Sequence, residues 1–280
     1  MLLVGACASQ PNLSERNLTA SQLANQHGWV KQAVHTDQFI LQAFLPSKPS
    51  KSETLTIYLE GDGLAWVKST IPSANPTPIN PLALKLALLD ATPAAYLARP
   101  CQYVTEDQSK NCTQQYWTSH RFSPKVITSS NQAIDEIKHK FGAQKLILVG
   151  YSGGGAVAAL VAAKRSDVIK LVTVAGNLDH VTWTNQRHLM PLSGSLNPAD
   201  AWMDLQNIPQ QHYVGGIDSN IDESIIRSYL SKFKLSDNLG INILPNFDHF
   251  CCWESIWPSI VNTHFGDLQA IQHNNAIKKK

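Results

Sequence analysis

The feature that most constrains the fold of this chain is a pair of largely apolar runs separated by a stretch of small residues. Residues 145–150 read KLILVG and residues 168–176 read VIKLVTVAG. Continuous apolar runs are typical of strands that are buried on both faces. The intervening GGGAVAALVAAKRS, at 153–166, has the length and composition of a closely packed helix. Strand, helix and strand in this order indicate the repeating unit of a parallel sheet.

The same alternation extends over most of the chain and determines the predicted fold class. The further signals come in this order: strand 52–61, helix 80–90, strand 94–100, helix 123–142, strand 211–216, helix 222–233, strand 241–245 and a last helix near WESIWPSIVNTHF. Repeated alternation of strand and helix predicts an α/β fold with a mainly parallel sheet and helices on both faces.

One long segment interrupts this pattern. Residues 177–210 are irregular, and irregular segments of that length inside a compact domain are typical of a lid or a pocket wall. Its larger apolar side chains either line an apolar acyl site or pack it shut, and they are Trp183, Leu192, Leu196 and Trp202. Because no repeat or linker divides the chain, we predict one domain over 26–280, which includes this insertion, after an N-terminal tether over 1–25.

A serine lies at the turn between the first apolar run and the small-residue helix. The stretch Gly150-Tyr151-Ser152-Gly153-Gly154 matches the pattern G-x-S-x-G. A strand that turns at once into a helix holds its middle residue in a strained conformation, and flanking glycines remove Cβ atoms that would collide there. The serine hydroxyl then stands at a helix N-terminus, whose dipole favours developing negative charge. Ser152 is therefore the candidate nucleophile.

With this motif in this context, residues 50–265 resemble the α/β-hydrolase family. In that family the chain order is serine, acid, histidine, with the acid after a late strand and the histidine after the last one. Here Asp218 follows HYVGGI and His249 follows INILPNFD. The resemblance implies a catalytic triad of these two residues with Ser152, an acyl-enzyme mechanism on a small-molecule ester or related acyl substrate, and no cofactor.

The chemistry explains why these residue types are needed together. Serine is a weak nucleophile until an imidazole takes its proton, and the imidazole needs a carboxylate to set its tautomer and stabilise its charge. His249 is the expected base and Asp218 the expected orienting acid. Two other aspartates compete for the second role, Asp179 in AGNLDH and Asp222.

An acyl-transfer site also needs N–H donors that face the oxyanion. One is expected from the backbone of Gly153, and the resemblance places the second in YLEGDGLAW, at the N–H of Asp62. Glu60 stands where the family often has a histidine. Because carboxylates beside an oxyanion are unfavourable, we expect Glu60 and Asp62 to point away or to be paired with a cation such as Arg121 or Arg99.

The N-terminus and the cysteines bear on the compartment. Val4-Gly5-Ala6-Cys7 resembles the lipobox of bacterial lipoproteins, although a basic and longer apolar leader is absent. The resemblance implies a lipid anchor at Cys7 in the periplasm or cell envelope, and a cytoplasmic protein is the alternative. Of the four other cysteines, Cys101 and Cys112 bracket a short polar loop, whose closure adds roughly 2–3 kcal/mol by the chain-entropy model. Cys251 and Cys252 are then left to form an adjacent pair or to stay as buried thiols.

The sequence also bears on several functions other than that of a serine esterase. A net charge of +2 without a basic stripe disfavours a nucleic-acid partner. Adjacent cysteines rarely hold one ion in good geometry, so we predict no metal at His249, Cys251 and Cys252. A peptidase or acyltransferase with the same triad stays open, as does a surface lipoprotein that uses the fold only for binding.

Overall fold

The computed structural model describes residues 10–234 and 238–264. Within these ranges the strands are β1 Trp29–His35, β2 Ile40–Pro46, β3 Thr54–Leu59, β4 Trp66–Lys68, β5 Ile71–Pro72, β6 Ala94–Leu97, β7 Lys145–Tyr151, β8 Val168–Val174, β9 Gln210–Gly215 and β10 Leu239–Leu244. The helices are α1 Leu13–Gln26, α2 Leu82–Leu88, α3 Pro124–Phe141, α4 Gly153–Ala162, α5 His180–Gln186, α6 Trp202–Leu205, α7 Glu223–Leu230 and α8 Trp253–His264. Every strand and helix that the sequence pattern predicts is present.

The central sheet has eight strands in the order β1-β2-β6-β3-β7-β8-β9-β10. All pairs from β6 to β10 are parallel, whereas β1 pairs with β2 and β2 with β6 in antiparallel fashion. The predicted, mainly parallel sheet is confirmed, and the antiparallel pair β1–β2 at its edge was not predicted. Carboxyl ends of parallel strands meet at one edge of a sheet, so the loops after β3, β7, β9 and β10 converge there.

Apolar side chains alternate between the two faces of the sheet and form a core on each. In β7, Leu146 and Leu148 join the cluster with α3 and α4, whereas Ile147 and Val149 join the cluster with α1, α2 and α8. Fully burying each such side chain contributes about 1.5–3 kcal/mol. The two cores hold helices on both faces, as predicted, and fix the strand ends that carry the site.

Helix α3 illustrates how local sequence signals set the elements. Ser123 caps its N-terminus by accepting a hydrogen bond from the N–H of Val126, and Pro124 occupies the first turn. Gly142 ends the helix in the left-handed conformation, with φ 62°, which glycine adopts without steric cost. The predicted limits of this helix are confirmed to the residue.

The N-terminal segment differs from the tether expected over residues 1–25. Residues 13–26 form α1, which starts with a capping box of Asn12 and Glu15. Ala20 and Ala24 are fully buried, and the Arg16 guanidinium donates to the carbonyl oxygens of Asn75 and Thr77. Helix α1 packs on the domain through small buried side chains. Because most of its residues are polar, its sequence gives little indication of this packing. The lipobox and Cys7 lie outside the described residues, so the lipid anchor stays a prediction.

The insertion 177–210 contains more regular structure than expected. Helices α5 and α6 and a 3-10 turn at Pro198–Ala201 lie within it. Trp183 and Leu192 line the large cavity described below, whereas Trp202 packs edge-on against Phe233. The segment is therefore a folded wall whose apolar residues divide between cavity and core. Separately, none of the helices in the described ranges has the length and hydropathy needed to cross a membrane.

A disulfide joins Cys101 to Cys112, as expected from the polar loop between them. Their Cα atoms are 5.6 Å apart, within the usual range for a disulfide. Cys101 is buried, and it directly follows the segment that carries Arg99. The bond therefore ties the loop after β6 to the core close to the candidate site.

Candidate active site

Ser152 lies at the sharp turn between β7 and α4. Its backbone has φ 52° and ψ −123°, a conformation that L-residues rarely adopt and that functional sites often contain. A Cβ on Gly150 would come within 2.3 Å of the Gly154 carbonyl oxygen, and one on Gly154 within 2.2 Å of the Leu59 carbonyl oxygen. Both glycines are required because strand, turn and helix approach one another at backbone distance.

The structure brings Ser152, His249 and Asp218 into one hydrogen-bonded chain. The His249 Nε2 lies 3.0 Å from the Ser152 Oγ, and its Nδ1 lies 2.8 Å from the Asp218 Oδ2. All three side chains are buried. Ser152 and His249 are 97 positions apart in sequence and meet because β7 and β10 end at the same edge of the sheet. The arrangement has the distances expected of a nucleophile, its base and the group that orients the base.

Asp218 is held by the turn that follows β9. Its Oδ1 accepts hydrogen bonds from the backbone N–H of Asn220, at 2.8 Å, and of Ile221, at 2.9 Å, which leaves Oδ2 for the histidine. The two competing aspartates are engaged elsewhere. Asp179 caps α5 and binds Ser228, and Asp222 caps α7. Of the three candidates, only Asp218 contacts His249.

The loop that carries His249 is fixed on both sides. The Tyr151 hydroxyl donates to the His249 carbonyl oxygen at 3.1 Å. The Asp248 Oδ1 accepts from the N–H of Phe250 and of Cys251, at 2.7 and 2.6 Å. Cys251 and Cys252 form an adjacent disulfide immediately after this turn. These cysteines therefore help to hold the loop of His249 in place. The two ring nitrogens of His249 face Asp218 and Ser152.

The expected oxyanion donors lie on two neighbouring loops. Gly153 is the first residue of α4, and Asp62 lies in the loop after β3. A Cβ on Gly153 would come within 2.1 Å of the Asp62 Oδ1, so the two loops touch directly beside Ser152. Within the described residues neither N–H donates to a protein acceptor. Their role as oxyanion donors stays a prediction.

Asp62 is paired with two buried arginines. Its Oδ1 accepts from the Arg99 Nη1 at 3.0 Å and its Oδ2 from the Arg121 Nη1 at 2.5 Å. Burial alone would raise the pKa of Asp62, but Arg121 and Arg99 outweigh burial and hold this pKa below its ordinary value. The expected pairing of Asp62 with a cation is thus present, and the carboxylate is ionised beside the nucleophile.

Glu60 is buried without a cation of its own. Its carboxyl accepts hydrogen bonds from the N–H of Gly61 at 2.9 Å, from the N–H of Ala83 at 3.4 Å and from the Tyr96 hydroxyl at 3.1 Å. Burial raises the pKa of Glu60 to about 7, and these hydrogen bonds offset only part of the shift. Of the two expected arrangements, pointing away or pairing with a cation, the second does not hold for Glu60, whose carboxyl group can instead be neutralised by a proton.

We expect Glu60 to make the stability of the protein depend on pH. Between pH 4.5 and 7 the folded state holds this proton while the unfolded state has released it, so the free energy of unfolding falls as pH rises. The fall is about 2–3 kcal/mol between pH 5 and 8. A Glu60→Gln substitution keeps an oxygen that can accept from the N–H groups of Gly61 and Ala83, turns an NH₂ group toward the Tyr96 hydroxyl, and removes the titration. In urea unfolding, the free energy of unfolding of the variant minus that of wild type should increase by this amount from pH 5 to 8. A difference that stays constant with pH would contradict the raised pKa of Glu60.

A cavity of about 1100 Å³ opens beside Ser152. Its walls come from the loop after β3, the β4–β5 hairpin, the insertion and the His249 loop. The lining is largely apolar and includes Trp66, Trp183, Leu192 and Phe250, and its acidic and basic side chains are Glu60, Asp62, Arg121, His188 and His249. A concave apolar site with few polar groups is typical of small-molecule binding. Sequence reasoning missed Trp66 and Phe250 because lining is a property of the assembled loops.

The chain matches no family model and no curated protein sequence. Solved structures resemble it at low sequence identity. Est1E from Butyrivibrio proteoclasticus superposes with a TM-score of 0.60 at 13% identity, covering 86% of this chain and 99% of Est1E. The esterase Pf2001 from Pyrococcus furiosus has a TM-score of 0.59 at 13% identity, covering 84% and 90%. An Agrobacterium tumefaciens protein proposed to be an α/β hydrolase has a TM-score of 0.58 at 13% identity, covering 86% and 97%. The chain therefore has the α/β-hydrolase fold, as predicted.

Proposed function

We propose that this protein is a serine hydrolase that cleaves a carboxylic ester or a related acyl substrate through an acyl-enzyme on Ser152. The observation that carries the proposal is the buried hydrogen-bonded chain from Asp218 through His249 to Ser152. The structural resemblance to an esterase, Pf2001, supports the same class of reaction. Est1E has been solved with ferulic acid bound, which places a small carboxylic acid on a protein of this fold.

In the acylation step, the Ser152 Oγ attacks the carbonyl carbon of the ester while its proton passes to the His249 Nε2. The negative charge that develops on the carbonyl oxygen is stabilised by the N–H groups of Gly153 and Asp62. The bond to the alcohol oxygen then breaks, and that oxygen takes the proton from His249. Asp218 stabilises the imidazolium that exists between these two transfers.

Deacylation repeats the same proton transfers with water as the nucleophile. Water attacks the acyl carbon and gives a proton to the His249 Nε2, and the bond from the acyl carbon to the Ser152 Oγ breaks as that oxygen regains a proton. The carboxylic acid leaves, and the site returns to its starting state. No cofactor takes part in this sequence.

The location of the protein is a separate proposal. Two cysteine pairs, Cys101 with Cys112 and Cys251 with Cys252, support an oxidising compartment. Together with the lipobox around Cys7, this favours a lipid-anchored protein of the bacterial cell envelope. Palmitate labelling in cells, compared between wild type and a Cys7→Ala variant, tests the anchor.

A substrate screen tests the proposed activity. We expect the purified protein to hydrolyse p-nitrophenyl esters of graded acyl length and to react with a fluorophosphonate probe. Hydrolysis of peptide amides instead of esters would favour a peptidase. Transfer of the acyl group to an added alcohol would favour an acyltransferase. Absence of both turnover and probe labelling would favour a binding protein that uses the fold as a scaffold.

A further inference from the structure

The charges around Asp62 balance only when Glu60 is ionised. Arg99 and Arg121 share this one carboxylate, and each arginine donates to a different oxygen of it. Glu60 is the other carboxyl group that interacts with Arg99. When Glu60 holds its proton, two cations face one anion, and the cluster has an excess positive charge. A buried excess charge is costly unless a counter-ion or water compensates it.

Arg121 lines the cavity together with Asp62 and Glu60, and it is the arginine of this cluster that reaches the cavity. Its side chain lines the cavity, although the residue is only 4% exposed. The Nε donates to the Thr118 carbonyl oxygen at 2.8 Å and the Nη1 donates to Asp62, while the Nη2 makes no hydrogen bond within the described part of the chain. Trp183 lies against the guanidinium, with 5.9 Å from the Cζ to the ring centroid. The arginine is held in place with one donor nitrogen left for a ligand.

Arg121 also lies close to the reacting centre. Its partner Asp62 touches the position of Gly153, the residue after the nucleophile. Arg99, in contrast, does not line this cavity, because it stacks on Phe122 and donates to the Arg121 carbonyl oxygen behind it. A group bound to Arg121 would therefore lie within a few bonds of an ester carbonyl held at Ser152.

We infer that Arg121 forms an anion subsite, so that the preferred substrates are esters that also carry a carboxylate. A guanidinium that is already oriented by Asp62 and Thr118 binds a carboxylate with little loss of side-chain entropy. The surrounding apolar walls strengthen this ion pair because they exclude water. This inference deepens the proposed function and rests on it for the ester bond, but anion binding itself needs no hydrolysis.

A binding experiment tests the subsite without turnover. Ser152→Ala protein is titrated with phenylacetate and with the neutral, similarly shaped phenylacetamide, by calorimetry or by tryptophan fluorescence. We expect the carboxylate to bind at least about tenfold tighter, because only the carboxylate forms charge-assisted hydrogen bonds with the guanidinium. Adding Arg121→Met should abolish this preference, whereas Lys68→Met, which removes an exposed charge from the β4–β5 hairpin, should retain it. Equal binding of both compounds would overturn the subsite.

A matched substrate pair tests its role in specificity. Monomethyl and dimethyl adipate carry the same methyl ester, and only the first carries a carboxylate. With the wild-type protein we expect kcat/KM to be about tenfold higher for the monoester. Arg121→Met should remove this preference, and Arg121→Lys should keep part of it. An equal loss on both substrates would show that Arg121 acts only through Asp62, which overturns the subsite and leaves the esterase intact. Absence of turnover of both adipate esters and of p-nitrophenyl esters would instead contradict the proposed function.

Discussion

Replacing Ser152 by alanine should lower kcat for p-nitrophenyl esters by about 10⁴- to 10⁶-fold. The Oγ removed by this change is the atom 3.0 Å from the His249 Nε2, and no other hydroxyl in the described residues contacts that nitrogen. Labelling by a fluorophosphonate should vanish together with turnover, because the same oxygen forms the covalent bond in both reactions. Steady-state kinetics and gel-based probe labelling measure the two effects.

The control for this prediction is a serine of the same cavity. Ser69 lines the cavity on the β4–β5 hairpin and makes no hydrogen bond among the described residues, so Ser69→Ala should keep activity within about twofold. Thermal unfolding of both variants should stay close to wild type, since each change removes one oxygen atom. Residual labelling of Ser152→Ala would mean that another residue is the nucleophile, and the proposed function would be wrong.

The second large effect is expected at Asp218. In Asp218→Asn the Oδ1 should keep its two backbone donors, from Asn220 and Ile221, because only an oxygen can accept them. The new NH₂ group then faces the His249 Nδ1, which must act as an acceptor. The ring proton moves to Nε2, where it blocks removal of the Ser152 proton. We expect kcat to fall by about 10³- to 10⁴-fold with little change in KM.

Two matched variants make this prediction specific. Asp222→Asn changes a carboxylate that caps α7 and pairs with Arg187, and Asp179→Asn changes one that caps α5. Both should change the free energy of unfolding by at most about 1 kcal/mol, because asparagine caps helices about as well as aspartate, and both should leave kcat within a few-fold. If either lowered kcat as much as Asp218→Asn, the orienting acid would have to be reassigned.

The order of strands and helices was predictable because local patterns determine it. A continuous apolar run in 145–150 can be satisfied only by burial on both faces, and β7 and its neighbours follow these runs closely. The edge strands β1 and β2 and helix α1 gave weaker signals. The burial pattern of β1 is irregular, and α1 buries small or polar residues, so neither shows the periodicity from which such elements are recognised.

The residues of the proposed triad could be named from the sequence for a different reason. The α/β-hydrolase resemblance supplies an order along the chain, and parallel strands bring their carboxyl ends to one edge whatever the loops contain. This order and the shared edge are sufficient to propose Ser152 as the nucleophile and His249 as its base. They left Asp218, Asp179 and Asp222 as competitors, since each follows or caps a regular element. Only the turn after β9, with its two backbone donors, separates them.

The α/β architecture and the serine turn followed from the sequence, because they depend on neighbours in the chain, and the candidate residues for the chemistry followed from the family resemblance, which supplies their order. The tertiary structure alone decided which aspartate meets the histidine, that Glu60 is buried without a cation, and that two arginines share Asp62 beside the cavity. Those features depend on contacts between loops far apart in sequence. Burial and net local charge arise only when such loops are packed together, and they set the pKa values of the site.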